Sequence, residues 1–210
     1  MRFLNYILPT LTLLAFKSAP ARAQTVRQAK DPAVQYNESG RVSADGRSVP
    51  FLIRHLPVSA FPQLPAEIAA ELSARGCLIP QTYEAHRPEN VIHASLERAG
   101  SSDWAVLCAS HGDVKLLVFL GSDPAKAIEI ASAIEVTRLQ AHGGSDVLGF
   151  NWGIDPATPE QVQEAESGSS FGPATMDHDA VSDSAIEHRT VYHYFAKGKW
   201  TLLKAADEQQ

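Results

Sequence analysis

The chain has 210 residues, a formal net charge of −6 at neutral pH, 44% hydrophobic residues and 20% charged residues. This is the composition of an ordinary globular protein, and it argues against a fibrous, a disordered or a polytopic membrane protein. The acidic balance also argues against a nucleic acid or an anionic membrane as the partner. The chain has no Lys/Arg cluster that would release counterions from phosphates.

The first 23 residues have the pattern of a secretory signal peptide. Arg2 gives a short positive start, residues 3–16 form an apolar run, and Ala21 and Ala23 supply the small residues that precede cleavage before Gln24. The run is too short for a membrane-spanning helix, which needs about 20 residues. We therefore expect a mature protein in the periplasm or outside the cell, detached from the membrane, with an uncleaved anchor as the alternative. Residues 24–210 keep 15 basic and 24 acidic residues, a net charge of −9.

Cys77 and Cys108 are the only two cysteines. In an oxidising compartment an even cysteine count favours pairing, so we predict a disulfide between them. The chain-entropy model assigns a loop of this length about 3 to 4 kcal/mol of stabilisation. Two buried thiols or a reactive pair are the alternatives, although no C-x-x-C spacing supports redox catalysis.

The chain divides into a lead-in and one domain. Residues 24–48 are polar and lack apolar periodicity, and four prolines follow between residues 50 and 65. We therefore predict a flexible or extended lead-in over residues 24–62, in which residues 51–53 have the composition of an edge strand. A single globular domain is expected over residues 63–210.

Predicted elements follow in chain order. Pro65, the spacing of Ile68 and Leu72, and Gly76 predict a helix over residues 65–75. Strand-like runs at residues 90–96, 104–110 and 114–120 are joined by turn residues, which predicts an antiparallel meander. Residues 123–134 fit a helix and a strand equally well.

The C-terminal third adds a strand, a helix and a hairpin. We predict a strand at residues 147–152, and a capping box beginning at Thr158 predicts a short helix to about residue 166. Residues 190–203 read as a hairpin in which Phe195 lies opposite Trp200. The predicted fold class is therefore α+β: an antiparallel sheet of about five or six strands with two or three short helices, stapled by one disulfide.

The densest group of ligand-type side chains is Asp177, His178 and Asp179. Carboxylates and imidazole are common metal ligands, so these three residues are the candidate metal site. The alternative is a polar turn whose Asp side chains cap a short helix over residues 180–186. No cofactor is predicted.

Catalytic residues are not assigned, because the sequence holds no complete catalytic signature. His111 and His142, each followed closely by an Asp, are at most halves of a Ser/His/Asp arrangement. His193 falls on the same hairpin face as Phe195, where a partly buried structural histidine is expected.

Tyr192, Tyr194 and Leu203 share the other face of the hairpin. If the opposite face belongs to the core, these three side chains are exposed as a small aromatic patch. Such patches mark binding surfaces, so these residues are the candidate binding site.

Several short motifs taken together resemble a group of small exported bacterial proteins of uncharacterised function. The motifs are GCLIPQ from residue 76, DWAVLC from residue 103, DHD from residue 177 and GKW from residue 198, with a closing Ala206-Asp207. The resemblance covers roughly residues 63–207. It implies a bacterial origin and a common fold, and it brings no activity, cofactor or catalytic residue.

These observations favour an exported, non-enzymatic module that binds an unidentified protein or small molecule through its sheet or hairpin tips. One alternative is a small periplasmic hydrolase assisted by a metal at Asp177, His178 and Asp179. The other is a structural component of the cell envelope.

Overall fold

Strands dominate the structure. The computed structural model describes residues 35–166, 176–185 and 189–204, and all of them belong to one compact unit. Thirteen strands form a nine-stranded and a four-stranded sheet, with two α-helices among the described residues. The predicted α+β class is therefore wrong, since the protein is mostly β. The predicted signal peptide at residues 1–23 lies outside the described residues.

The larger sheet is almost wholly antiparallel. Its strands are β1 (Tyr36–Ala44), β2 (Arg47–Pro57), β3 (Leu78–Gln81), β4 (Val91–Ala94), β5 (Asp103–Ser110), β6 (Asp113–Phe119), β7 (Ala127–Ile134), β8 (Leu139–Gln140) and β9 (Leu148–Phe150). Their order is β7-β6-β5-β3-β2-β9-β8, with β1 paired to β2 and β4 paired to β5. Only the β2–β9 pair is parallel.

The smaller sheet is an antiparallel meander. It contains β10 (Gly153–Ala157), β11 (Ala180–Ala185), β12 (Arg189–Ala196) and β13 (Lys199–Lys204) in that order. The two helices are α1 (Ala66–Ala74) and α2 (Pro159–Glu166). The predicted helix over residues 180–186 is wrong, because residues 180–185 form β11. Val181 of this strand is buried in the core and the strand pairs on both edges, so tertiary pairing outweighs the local capping signal.

The globular unit begins before the predicted boundary at residue 63. Residues 36–57, assigned to the lead-in, form β1 and β2, and both Phe51 and Ile53 are buried in the core. β1 is exposed along most of its length, so it lacks the alternation that marks a strand. Gly40 faces the Phe51 ring, where a Cβ would lie 2.8 Å from a ring carbon.

Several local predictions are confirmed. α1 lies within the predicted helix, and Gly76 follows it with a φ of 70°. β4, β5 and β6 form the predicted meander. Thr158 and Gln161 exchange the reciprocal hydrogen bonds of a capping box at the start of α2. The ambiguous segment at 123–134 becomes a short 3-10 turn followed by β7.

The sheets and helices are arranged in layers, with three apolar clusters between them. The first joins the two sheets, with Leu107 of β5 and Val181 of β11 among its buried residues. The second lies between the larger sheet and α1, whose Ile68 and Leu72 are fully buried. The third joins the outer face of the smaller sheet to Val162 of α2. Each sheet therefore has one face on the other sheet and one face against a helix.

The predicted disulfide between Cys77 and Cys108 is confirmed, with Cα atoms 5.0 Å apart. It joins the residue before β3 to β5, immediately beside the pair formed by Leu78 and Ala109. No helix in the described residues is long and apolar enough to cross a membrane.

Candidate functional site

A cavity of about 830 Å³ lies beside the hairpin formed by β12 and β13. Its walls come from the loop after β4, from the residues that lead into β11, and from the hairpin itself. We call it the hairpin cavity. Its volume is within the range of small-molecule sites, about 300 to 1,000 Å³.

A two-residue turn shapes the hairpin. Lys197 and Gly198 both have positive φ, 52° and 76°, which matches the right-handed twist of the flanking strands. Phe195 pairs with Trp200 across the hairpin, as predicted. The turn therefore holds Lys197 and Lys199 at the mouth of the cavity, where both side chains are exposed.

Asp177, His178 and Tyr194 form a hydrogen-bonded network in the cavity wall. His178 Nδ1 lies 2.6 Å from Asp177 Oδ1, and His178 Nε2 lies 2.8 Å from the Phe195 carbonyl oxygen. Both of these oxygens are acceptors, so both bonds form when the ring is doubly protonated. The Tyr194 hydroxyl donates to Asp177 Oδ1 at 3.3 Å. The network fixes the orientation of the imidazole.

The network shifts two pKa values. The hydrogen bond from His178 lowers the pKa of Asp177, and the charge of His178 and the Tyr194 hydroxyl lower it further. Burial raises the pKa of Tyr194, and the Asp177 carboxylate adds to this effect. At neutral pH Asp177 is therefore an anion and Tyr194 a neutral donor.

The cations at the cavity mouth have few partners. Arg98 forms an exposed ion pair with Glu97. Among the described residues, no carboxylate forms an ion pair with Lys197 or Lys199. Asp177 already accepts from His178 and Tyr194. The mouth therefore carries a local positive charge on an acidic protein.

Two of the three predicted binding residues line the hairpin cavity, namely Tyr194 and Leu203. Tyr192 packs beside them in the apolar cluster that includes Val162 of α2. The expectation that this face is exposed is wrong for Tyr194, which is 5% exposed. The reason is that α2 and Met176 cover this face of the smaller sheet.

The three predicted metal ligands are not brought together. Asp177 and His178 line the cavity, whereas Asp179 Oδ2 accepts a hydrogen bond from the Ser95 amide at 3.0 Å. Both ring nitrogens of His178 already have hydrogen-bond partners. Within the described part of the chain, these three side chains do not form a group with metal-ligand spacing.

His193 is buried and hydrogen-bonded to Asp183 at 3.0 Å, as expected for a structural histidine. His142 stacks on Tyr83 with ring centroids 4.2 Å apart. Neither histidine lines the hairpin cavity.

Sequence reasoning missed a second group of ligand-type residues. Glu38, His55 and Glu135 place one ligand atom each within 4.8 Å of the others. His55 Nε2 lies 2.7 Å from Glu135 Oε1, and both residues are 3% exposed. The three residues are far apart in the sequence, so no spacing motif reveals them. The sequence holds one signal of this group: His55 continues the alternating, buried face that begins with Phe51 and Ile53.

Comparison of the chain with protein-family models, curated proteins and solved structures found no match. The resemblance to exported bacterial proteins therefore stays a prediction, and function has to be inferred from the site itself.

Proposed function

We propose that this protein is an exported binding protein whose hairpin cavity takes an anionic amphiphile, a small molecule with an apolar body and one acidic group. One observation carries the proposal: a cavity of about 830 Å³ has an apolar wall at Tyr194 and Leu203 and cations at its mouth. The apolar wall matches the apolar body of such a ligand, and the cations match its acidic group.

The cations favour the acidic group. Lys197 and Lys199 line the cavity without an ion-pair partner among the described residues, whereas Arg98 is paired with Glu97, and the chain as a whole has a net charge of −6. A carboxylate about 4 Å from one lysine gains roughly 1 kcal/mol in bulk water and up to about 4 kcal/mol near a protein surface. Because these lysines are exposed, added salt should weaken the attraction.

The apolar wall favours the body of the ligand. Tyr194 is held by its stacking on His178, with ring centroids 4.5 Å apart, and Leu203 is half-buried beside it. Burial of a methylene group contributes about 0.8 kcal/mol. An alkyl chain in contact with Leu203 therefore adds to the affinity, and the lysines select its acidic end.

Export to the periplasm or the outside of the cell belongs to the same proposal. The disulfide between Cys77 and Cys108 supports it, because disulfides persist in oxidising compartments. The metal-assisted hydrolase and the envelope component stay predictions from the sequence.

Decanoate and decyltrimethylammonium provide the test, because they share a ten-carbon chain and differ in the sign of the head group. Calorimetric titration below the micelle concentration should show decanoate binding at one site per chain, with decyltrimethylammonium at least tenfold weaker. The double variant Lys197→Gln/Lys199→Gln should lose about tenfold in affinity for decanoate, which corresponds to about 1.4 kcal/mol.

The matched control removes the same charge elsewhere. Lys115 and Lys126 are exposed lysines outside the cavity that pair with Glu129 and Asp123, and Lys115→Gln/Lys126→Gln should leave decanoate affinity within about twofold. Equal binding of the two amphiphiles, or equal losses in the two double variants, would refute the proposal.

A further inference from the structure

We propose that Glu38, His55 and Glu135 bind a divalent transition-metal ion, with Zn²⁺ as the fitting ion. One imidazole and two carboxylates are ligands that zinc accepts, and three protein ligands leave a position for water. Imidazole disfavours Ca²⁺ and Mg²⁺, which prefer oxygen ligands only. The site is separate from the hairpin cavity and does not depend on the proposed function.

The sheet register brings two of the ligands together. In the β1–β2 pair, Glu38 lies opposite Ile53, and Tyr36 lies opposite His55. Glu38 and His55 are therefore diagonal neighbours on one face of the sheet. Neither strand needs to distort to present both side chains to the same point.

The third ligand comes from the turn after β7. Glu135 donates its backbone N–H to the Gly112 carbonyl oxygen at 2.8 Å, which fixes the turn against the β5–β6 hairpin. Its carboxylate reaches His55 at 2.7 Å. The ligand atoms of all three residues consequently lie within 4.8 Å of one another.

The negative charges of Glu38 and Glu135 favour a bound cation. Two carboxylates approach within 4.8 Å, and that of Glu135 is nearly fully buried. Among the described residues, no Lys or Arg forms an ion pair with Glu38 or Glu135. A divalent ion offsets both negative charges.

A small cavity gives an ion access to the group. It measures about 240 Å³ and is lined by the three ligands and by His111. His111 is held by a 2.7 Å hydrogen bond between its Nδ1 and the Ser110 hydroxyl. Glu38 is exposed, so the group opens to solvent on one side.

Metal binding requires one small rearrangement. The ion replaces the hydrogen bond between His55 and Glu135, whose atoms separate from 2.7 Å to about 3.4 Å, the spacing of ligands in tetrahedral zinc. His55 coordinates through an unprotonated Nε2.

The disulfide supports the wall of this cavity. Gly76 and Leu78 flank Cys77, Ala109 follows Cys108, and all three residues line the cavity. The variant Cys77→Ser/Cys108→Ser should accordingly bind zinc more weakly than the native protein at a temperature where both are folded.

Calorimetric titration of the chelator-treated, untagged protein with Zn²⁺ tests the proposal. We expect one Zn²⁺ per chain, and Co²⁺ substitution should give the visible absorption of a four- or five-coordinate site without thiolate bands. Glu38→Gln should weaken Zn²⁺ binding at least tenfold. Glu84→Gln, which alters another exposed glutamate, should leave it unchanged.

Glu38→Gln is chosen because Glu38 is exposed, so the folded state tolerates the change. Replacement of His55 or Glu135 instead breaks a buried pair. The absence of stoichiometric Zn²⁺ binding, or equal affinity in wild type and Glu38→Gln, would overturn the proposal. Tighter binding of Ca²⁺ than of Zn²⁺ would overturn the assignment of a transition metal.

Discussion

The rings of His178 and Tyr194 stack with their centroids 4.5 Å apart, although the two residues are 16 positions apart in the chain. His178 also donates from Nε2 to the backbone oxygen of Phe195 at 2.8 Å, so the contact is anchored to the main chain of β12. The wall of the hairpin cavity is therefore part of the fold. A ligand bound there should raise the melting temperature of the whole unit.

Asp177→Asn should destabilise the protein at neutral pH and have little effect in acid. The folded-state pKa of Asp177 is lowered, chiefly by its hydrogen bond with His178. Its contribution is therefore present above the unfolded pKa of about 3.9 and is lost as the pH falls through the folded value. Melting temperatures of wild type and Asp177→Asn across acid and neutral pH should converge only in acid. A difference that does not depend on pH would contradict this explanation.

Asp103→Ala should destabilise the protein by about 3 kcal/mol or more. Asp103 is fully buried, and its carboxylate accepts from the backbone N–H groups of Leu96, Glu97 and Gly121 at 2.6 to 2.8 Å. Removal of the carboxylate leaves these donors without their acceptor. Urea unfolding measures the loss.

The control for Asp103 is an exposed aspartate. Asp146→Ala in the loop before β9 should change the free energy of unfolding by less than about 0.5 kcal/mol. Similar effects of the two variants would show that Asp103 does not organise its loops.

Asn90→Ala should also destabilise the protein, by about 2 to 3 kcal/mol. The buried Asn90 side chain donates to the Pro80 and Trp152 carbonyl oxygens and accepts from the Ile154 N–H at 3.0 Å. It therefore ties the larger sheet to the start of the smaller one. Its φ of 67° lies in the left-handed region, which Asn tolerates better than Ala does, so the substitution also adds backbone strain.

Asn90→Gly separates these two causes, because glycine adopts the positive φ without strain and does not restore the hydrogen bonds. We expect Asn90→Gly to be about 1 kcal/mol less destabilising than Asn90→Ala. If both variants unfold with a free energy within about 0.5 kcal/mol of wild type, the Asn90 hydrogen bonds do not stabilise the fold as predicted.

Cys77→Ser/Cys108→Ser should lower the free energy of unfolding by about 3 to 4 kcal/mol, since the disulfide closes a loop with a sequence separation of 31. Guanidinium denaturation of the variant and of the oxidised wild type measures the difference. Reduced wild type should match the variant. An unchanged midpoint would mean that the bond does not constrain the unfolded chain.

Local signals in the sequence were sufficient for part of the fold. α1, the capping box of α2 and the β12–β13 hairpin each depend on residues close in the chain, and the even cysteine count gave the disulfide. β1 was missed because it is mostly exposed and lacks the alternation of a strand, although its partner β2 follows directly in the chain. β11 was missed because Asp177 and Asp179, which precede it, read as a helix cap, whereas pairing with β10 and β12 makes the segment a strand. Because these strands were not recognised, the predicted helices made up a larger share of the elements, and the chain was assigned to the α+β class.

The candidate sites were only partly predicted, because the fold brings together residues that the sequence keeps apart. Tyr194 and Leu203 were placed in one site and Asp177 and His178 in another, yet all four line one cavity, because β11 and β12 are adjacent strands. Asp179 points instead to Ser95. The group of Glu38, His55 and Glu135 depends on sheet register and a distant turn, which no single stretch of sequence reveals.

Titration of ¹⁵N-labelled protein with decanoate, followed by amide chemical shifts, tests the central claim most directly because it locates the ligand. We predict saturable shifts at Lys197, Gly198 and Lys199 and at Leu203, all of which line the hairpin cavity. The same titration with decyltrimethylammonium should need at least a tenfold higher ligand concentration to shift these amides. Saturable shifts confined to residues outside the cavity, or no shifts with decanoate, would contradict the account.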